Sequence, residues 1–411
     1  MIRRILALIF IYSCTCVAWV ILGGVTYNRT YNQDTKLRGE VGQLWGTVQA
    51  QQAPDIYYLT RSERKVENFQ GSTTKLLTEE VVENHPLNLD GTDARVWLGL
   101  EYRKKGLLWY STYTVKFDAS YKISNSTAQA RLITFDYAFP TSSGIYDNFL
   151  FNVNGSAEKN LRPSAGRIVK DFFLNPGEGK TIEISYESRG LDQWWYRFGS
   201  DVSQISDFSL VLKTNFTDYD FPENCISPTA KELNQGGANL TWKYKNLISG
   251  IQIGVQLPQK MNPGPFASRI SFFAPVSLFF FFFLMFVITT LKRINLHPMN
   301  YFFLSAAFFS FHLLMSYLVD HLEIGPAFTV CSLVSIFLVV SYMRLVAGNR
   351  FAFLEAGMSQ FVYLVLFSSA FFFEGYTGLM ITVCSIITLF VIMQITGRVD
   401  WEKQLSMYDK R

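Results

Sequence analysis

Residues 270–291 have the sequence ISFFAPVSLFFFFFLMFVITTL, and Lys292 and Arg293 follow them directly. The run contains no charged residue and exceeds the ~20 apolar residues that a helix needs to cross a bilayer. It includes five consecutive phenylalanines, Phe279 to Phe283, in a chain that has 37 of them. The segment therefore predicts a membrane-spanning helix with cations at its end.

Four further apolar runs follow this segment and predict a five-helix bundle over residues 269–396. Each run ends at charged residues, as Asp320 and Glu323, Arg344, Glu374 and Arg398 show in turn. Residues 397–411 are expected to form a cytoplasmic tail. The five predicted spans are 270–291, 298–318, 326–343, 351–373 and 378–395.

The N-terminal residues 1–26 predict a sixth span, because an apolar run over 5–25 follows Arg3 and Arg4. A cleaved signal peptide is the alternative, but residues 20–24 offer no clean small-x-small cleavage site. Residues 27–54 predict a polar helical extension of this anchor that ends at Ala53-Pro54. Apolar residues recur in it at helical spacing, at Leu37, Val41, Leu44 and Val48.

Residues 55–268 differ from both flanks, since short runs of Tyr, Phe, Val, Ile and Thr alternate with turn residues. Alternation with a period of two is typical of antiparallel strands. The strongest runs are 109–123, 131–139, 149–153, 181–186, 208–213 and 240–244. The predicted fold is an α+β membrane protein: a β-sandwich-like domain plus six transmembrane helices, one N-terminal and five C-terminal.

Composition and motifs restrict the function. Of the 411 residues 49% are hydrophobic and 17% charged, which is too apolar for an ordinary soluble enzyme. A net charge of +4 is too small and scattered for nucleic-acid binding. GxxxxGK, GxGxxG and HExxH are absent, so no cofactor is expected. Cys225 is the only cysteine of the outer domain, which excludes an internal disulfide there.

Basic residues lie at alternate connections between the predicted spans, and acidic residues lie at the others. Because cytoplasmic loops are enriched in Lys and Arg, this pattern predicts that both termini are cytoplasmic and that the β-rich domain lies on the opposite side of the membrane. The pair Arg3 and Arg4 predicts the same orientation independently.

The C-terminal half resembles the CreD family of bacterial inner-membrane proteins, which is associated with colicin tolerance. The resemblance is carried by Leu291-Lys292-Arg293, by His297-Pro298 within the following Leu-His-Pro-Met, and by Asp320-His321. It extends to Arg398, Asp400 and Trp401 in the closing Gly-Arg-Val-Asp-Trp. The resemblance implies a bacterial inner membrane, a periplasmic domain and a link to envelope stress. It implies no catalytic residues.

The second bundle helix carries a polar stripe, made of Tyr301, Ser305, His312, Ser316 and Asp320. At 100° per residue these positions fall within an arc of about 100°. Such a stripe is expected to face other helices or a wet cavity, with Thr382, Ser385 or Gln360 as partners. His312 is either a neutral, hydrogen-bonded packing residue or a proton or substrate site.

Three smaller groups complete the candidate sites. Glu355 lies one turn into its span, near Arg350, and predicts an interfacial ion pair. His297-Pro298 predicts a helix start at the cytoplasmic surface. A candidate periplasmic binding surface comprises Asp192, Trp194, Trp195 and Arg197, where adjacent tryptophans of a strand point to opposite faces. Structural packing of both tryptophans is the alternative.

These observations favour a non-enzymatic function in envelope maintenance or stress adaptation. The lipid bilayer is one partner, and the outer domain is expected to bind a periplasmic or inner-membrane protein, a lipid or a cell-wall component. A small-solute or lipid transporter or proton-coupled channel is the rival hypothesis. A hydrated cavity beside His312 favours transport, whereas a packed stripe favours a scaffold or sensor. A hydrolase ranks third because no base–nucleophile pair is visible.

Overall fold

The computed structural model describes residues 2–70, 73–106, 108–199, 203–373 and 375–397, without the side chains of 2–4, 65–79 and 203. The chain divides into two compact units. The helical unit comprises Met1–Lys36 and Met261–Arg411, and the β unit comprises Leu37–Lys260.

Six helices are long and apolar enough to cross a membrane within the described residues, which confirms the expected number and order. They are α1 (Ile2–Trp45), α2 (Pro263–Leu291), α3 (Pro298–Leu318), α4 (Ile324–Ala347), α5 (Phe351–Phe372) and α6 (Thr377–Thr396). In α5 the segments Phe351–Gly357 and Phe361–Leu366 are π-helical.

Phenylalanine rings join the helices of the helical unit. Phe281 of α2 lies 5.6 Å from Phe308 of α3, and Phe311 of α3 lies 5.4 Å from Phe328 of α4, between ring centroids. Aromatic pairs at this spacing are favourable beyond the area that they bury. The phenylalanine excess of the sequence therefore forms the interior of the bundle as well as its apolar exterior.

Fifteen strands are described in the β unit. They are β1 (Gln49–Gln52), β2 (Asp55–Gln70), β3 (Thr73–Leu87), β4 (Gly91–Lys105), β5 (Leu108–Ser124), β6 (Arg131–Ala138), β7 (Asp147–Val153), β8 (Ser156–Ala157), β9 (Arg167–Leu174), β10 (Gly179–Leu191), β11 (Gln193–Arg197), β12 (Ser203–Thr214), β13 (Ala230–Asn234), β14 (Gly237–Ser249) and β15 (Ile253–Gln256).

The strands form three sheets, and the larger two pack against each other as a sandwich. The strand order is β13-β14-β12-β4-β5-β10-β7-β8 in the eight-stranded sheet, β3-β2-β6-β9 in the four-stranded sheet and β1-β11-β15 in the three-stranded sheet. Phe135 of the four-stranded sheet lies 6.1 Å from Phe151 and 6.2 Å from Tyr121 of the eight-stranded sheet, between ring centroids. The β-sandwich-like expectation is thus confirmed, and one hydrophobic core lies between the sheets.

The helical extension expected to residue 54 is shorter, because α1 ends at Trp45 and residues 49–52 form β1. Gly46 ends the helix with a φ of 137°, and a Cβ at this position would overlap the Arg189 carbonyl. Only glycine fits such a site. Beyond Gly46 the backbone pairs with β11, where Gln49 lies opposite Trp194 in parallel register. Strand pairing therefore overrides the helical spacing of Val48.

Gln51 connects the three sheets. Its Oε1 accepts hydrogen bonds from the hydroxyls of Tyr137 in β6, at 2.8 Å, and Tyr186 in β10, at 2.9 Å. All three side chains are buried, and burial raises the pKa of both tyrosines well above its usual value. One amide therefore satisfies two phenols that have no access to solvent.

We expect Gln51→Leu to destabilise the β unit by about 2–4 kcal/mol, because it leaves two buried hydroxyls without an acceptor. Hydrogen exchange of the β6 and β10 amides in the full-length protein measures this change. Gln52→Leu is the matched control, since the Gln52 side chain is half-buried and makes no hydrogen bond to a described residue, while its backbone carbonyl, which accepts from Gln51 Nε2 at 2.7 Å, is retained. Equal losses of protection in the two variants would contradict the role of Gln51.

Candidate functional site

The polar stripe of α3 faces protein along its whole length. Exposed fractions are 0% for Tyr301, 2% for Ser305 and His312, and 3% for Ser316. The Asp320 side chain, just beyond the helix, is 26% exposed. A polar side chain in a lipid-facing position costs a few kcal/mol, which explains why this face turns inward.

His312 is enclosed by aromatic rings. Trp19 of α1 and Phe311 of α3 approach it edge-on, with centroids at 5.3 and 4.9 Å, and Phe308 stacks against it at 6.1 Å. Its Nδ1 lies 3.3 Å from the Phe308 carbonyl one turn earlier, and because a carbonyl oxygen can only accept, Nδ1 is the nitrogen that carries the proton in this hydrogen bond. The surroundings of His312 are those of a packed interior residue.

The C-terminal end of α3 is held by α1. Arg29 Nη2 donates to the Ser316 carbonyl at 2.9 Å and to Asp320 Oδ1 at 3.1 Å. The Thr26 hydroxyl lies 3.5 Å from that of Ser316. A cation at a helix C-terminus meets unsatisfied carbonyls and the negative end of the helix dipole. The guanidinium therefore joins α1 to the end of the polar stripe.

The partners expected for the stripe were wrong. Gln360 is buried, but its Nε2 donates to Ser335 of α4 at 2.8 Å, and Ser335 donates in turn to the Ala307 carbonyl at 2.6 Å. Thr382 is exposed and bonds within its own helix, as does Ser385. His312, Ser316 and Asp320 instead meet α1, and the Tyr301 hydroxyl lies 3.3 Å from that of Thr289 in α2. A sequence pattern gives the direction of a helix face but not the neighbour that covers it.

Glu355 forms an ion pair with Lys292 rather than with the expected Arg350. The Glu355 side chain is 12% exposed, and its Oε2 has no hydrogen-bond partner among the described residues. Lys292 follows α2 directly, so the pair links the end of α2 to the start of α5. Proximity in sequence suggested Arg350, but the tertiary fold supplied a cation from another helix.

The sequence analysis named Gln360 only as a possible partner of the stripe and not as a candidate site of its own. It is fully buried, its Oε1 has no partner in the described part of the chain, and it lies between the two π-helical segments of α5. π-helical turns occur frequently at functional sites. A lone glutamine within an apolar run was the only available signal.

The proposed binding surface around the paired tryptophans is divided by strand geometry. Trp194 is fully buried and belongs to the core, so it cannot be part of a surface. Trp195 is half-buried and donates to Gln193 Oε1 at 3.1 Å, and Arg197 is exposed. Asp192 is 8% exposed and forms an ion pair with Arg38. The structure brings no common ligand surface together from these four residues.

The family-motif residues fall into two groups. His297 is the N-cap of α3, where its Nδ1 accepts from the Met299 amide at 3.2 Å, and Pro298 is the first helical residue. Both therefore have a local structural role. Arg398, Asp400 and Trp401 lie outside the described residues.

A cleft of 640 Å³ lies on the outer face of the eight-stranded sheet and was not foreseen. Its floor crosses β12, β4, β5, β10 and β7 and carries three cations, Arg95, Lys116 and Lys213. A second cavity of 350 Å³ shares several of its residues, including Arg95 and Asp118. Volumes of this size are typical of small-molecule sites.

Trp97 is the conspicuous side chain of this cleft, at 37% exposure. Its ring lies over Gly99, two residues along β4 on the same face, where a Cβ would overlap the indole. The glycine thus allows the indole to lie along the sheet. The signal in the sequence is the Trp-x-Gly spacing, which carries no meaning until the strand and its outward face are known.

A larger cavity of 900 Å³ in the β unit is less suited to a charged ligand. The lining cation Arg167 is already paired with Asp136 at 2.7 Å and with Asp55 at 3.1 Å. Its hydrogen bond to Asp136 raises the pKa of the guanidinium further.

Residues 223–402 match the sequence model of the family described as inner membrane protein CreD. The chain is CreD-like over this region. Together with six helices suited to cross a bilayer, the match makes it a multi-pass inner-membrane protein. The matched region includes the last strands of the β unit and α2 to α6. No curated protein matches the chain.

Solved structures resemble the chain only weakly. A putative nutrient binding protein from Legionella pneumophila is 10% identical, with a TM-score of 0.30, over 57% of this chain and 76% of that protein. An M1 zinc metallopeptidase from Deinococcus radiodurans is 8% identical, with a TM-score of 0.27, over 67% of this chain and 94% of that enzyme.

Lys292→Ala should lower the melting temperature of the detergent-purified protein, whereas Arg350→Ala should not. The first leaves the largely buried Glu355 without its cation, at a cost of about 1–2 kcal/mol. The second removes an exposed cation that makes no ion pair with a described residue. A larger loss for Arg350→Ala would show that Arg350 is the partner of Glu355.

Proposed function

We propose that this CreD-like protein serves envelope maintenance or stress adaptation without catalysing a reaction. In this proposal the β unit binds a periplasmic protein, a lipid or a cell-wall component, and the helical unit holds it in the inner membrane. The observation that carries the proposal is the contrast between the two units. The ionisable residue within α3 is enclosed by rings, while the β unit presents an open, charged cleft.

A scaffold role for the helical unit follows from the packing of the stripe. A path for protons or solutes through His312 needs access to water on at least one side. At 2% exposure, with Trp19 and Phe311 against its ring, His312 is poorly placed for that. Its neighbours on the stripe bond to helix carbonyls, as the Ser316 hydroxyl does to the His312 carbonyl at 2.9 Å.

A transporter or proton-coupled channel is the second candidate, and α5 is the helix that favours it. Glu355 Oε2 and Gln360 Oε1 are buried oxygens without partners among the described residues. Both lie on a helix with π-helical turns, where backbone hydrogen bonding is irregular. A proton pathway, if present, would run along α5 rather than along the stripe of α3.

Two substitutions at His312 separate these functions. If the helical unit is a scaffold, His312→Asn retains a donor for the Phe308 carbonyl. This variant should therefore still complement a strain that lacks the protein. His312→Leu should cost about 1 kcal/mol of stability, one hydrogen bond. Complementation and melting temperature of the membrane-extracted protein are the measurements. Loss of complementation in both variants with normal amounts of folded protein would favour proton transfer, since neither side chain titrates near neutral pH.

We further propose that both termini are cytoplasmic and that the β unit is periplasmic, since Arg3, Arg4, Lys292, Arg293 and Arg344 all lie on one side in this arrangement. In a Cys225→Ser background, a cysteine replacing the exposed Leu233 should react with a membrane-impermeant maleimide in intact spheroplasts.

A cysteine at Arg293 should react only after the membrane is opened. The reverse pattern would overturn the orientation.

A further inference from the structure

We propose that the cleft around Trp97 binds an acidic saccharide, with a pyranose ring on the indole and a carboxylate at Lys213. The inference rests on the proposed function, since it requires the β unit to be the binding part. It names the class of ligand and the residues that recognise it.

The position of the indole is the first argument. Trp97 lies on the outward face of β4, between Arg95 and Gly99 on the same face. Because Gly99 leaves room for the ring, the indole covers the sheet and still exposes 37% of its surface. The face of an aromatic ring is electronegative, and the C–H face of a pyranose is weakly electropositive, so the two surfaces stack.

The charge pattern is the second argument. In the sheet register Lys213 of β12 is the neighbour of Trp97, and Lys116 of β5 is its neighbour on the other side. Lys116 is paired with Glu187 at 2.9 Å, whereas Lys213 is exposed and makes no ion pair with any described residue. Neighbouring strands lie about 4.8 Å apart, which places a free cation beside the indole.

The remaining polar groups suit hydroxyls, which both donate and accept hydrogen bonds. Asp118 and Glu187 supply acceptors, and Lys116 and Asn148 supply donors, around one cleft. Asn148 has a φ of 51°, and the pairing of β10 with β7 shifts register between Ser185 and Glu187. Such irregularities redirect side chains and are common beside binding sites.

Other occupants fit less well. Addition of a peptide strand needs a free sheet edge, but β4, β5 and β10 each pair with a strand on both sides. The centre of a protein interface is depleted of charged residues, and five of the residues that line this cleft are charged: Arg95, Lys116, Asp118, Glu187 and Lys213. A lipid chain would remove the five charged side chains of this cleft from water, which is costly.

The test uses two disaccharides that differ in one O-lactyl group, which carries the carboxylate. Each is titrated calorimetrically into the full-length protein in detergent. The acidic probe is N-acetylglucosaminyl-N-acetylmuramic acid, and the neutral probe is N,N′-diacetylchitobiose. The wild type should bind the acidic probe more tightly, by about tenfold. Trp97→Ala should weaken the binding of both probes about tenfold or more, since one stacking contact contributes on that scale.

Lys213→Gln should remove the preference for the acidic probe and leave the affinity for the neutral one unchanged. Gly99→Ala should reproduce the effect of Trp97→Ala while retaining the indole, because the new methyl group displaces the ring. Matched controls are Lys243→Gln, an exposed lysine of β14 outside the cleft, and Phe173→Ala, a 65% exposed ring of the four-stranded sheet. Neither control should change binding of the probes.

Absence of binding of both probes to the wild type at millimolar concentration would overturn the saccharide assignment. Equal effects of Trp97→Ala and Phe173→Ala would do the same. If no probe binds and Trp97→Ala nevertheless abolishes complementation with normal folding, the ligand class is wrong and the proposed function of the β unit stands. If the acidic probe binds as expected while complementation fails to depend on Trp97, the saccharide site stands and the proposed function fails.

Discussion

A polar group removed from water must find a partner within the protein, and both units of this chain are organised by that requirement. In the β unit, Gln51 accepts hydrogen bonds from Tyr137 and Tyr186 and so connects three sheets. In the helical unit, Arg29 satisfies the Ser316 carbonyl and Asp320 where α3 ends. Each interaction joins elements that are distant in sequence. Each therefore stabilises the tertiary fold and also gives a buried polar group its hydrogen-bond partner.

The same requirement explains why an ionisable residue within a span need not conduct anything. His312 has a bond to a helix carbonyl and three rings around it, which is sufficient for a neutral imidazole in a packed bundle. The helix that departs from regular hydrogen bonding is α5, which has π-helical turns and in which one oxygen each of Glu355 and Gln360 has no hydrogen-bond partner in the described part of the chain. Polar residues of α3 and α5 lie in similar apolar runs, but they differ in how far the packed bundle satisfies their hydrogen bonds.

Side chains on the outer face of the eight-stranded sheet are less constrained by core packing. Its core-facing residues alternate with outward ones along β4, where Ala94, Val96 and Leu98 are buried and Arg95 and Trp97 are exposed. An exposed tryptophan contributes little to a core that lies on the opposite side. The indole over Gly99 lies beside a cation that has no acidic partner among the described residues, and this arrangement is better explained by recognition than by stability.

The sequence alone determined the six spans and the β-rich character of residues 55–268, since these depend on local composition and on periods of 2 and 3.6 residues. It also gave the CreD-like resemblance, which depends on short motifs. Only the tertiary structure decided which groups meet. It ended α1 at Trp45 by pairing residues 49–52 with β11, and it gave Glu355 a partner in Lys292. It also buried Trp194 and formed the cleft around Trp97. Contacts between distant segments depend on packing and register, which periodicity within one segment cannot specify.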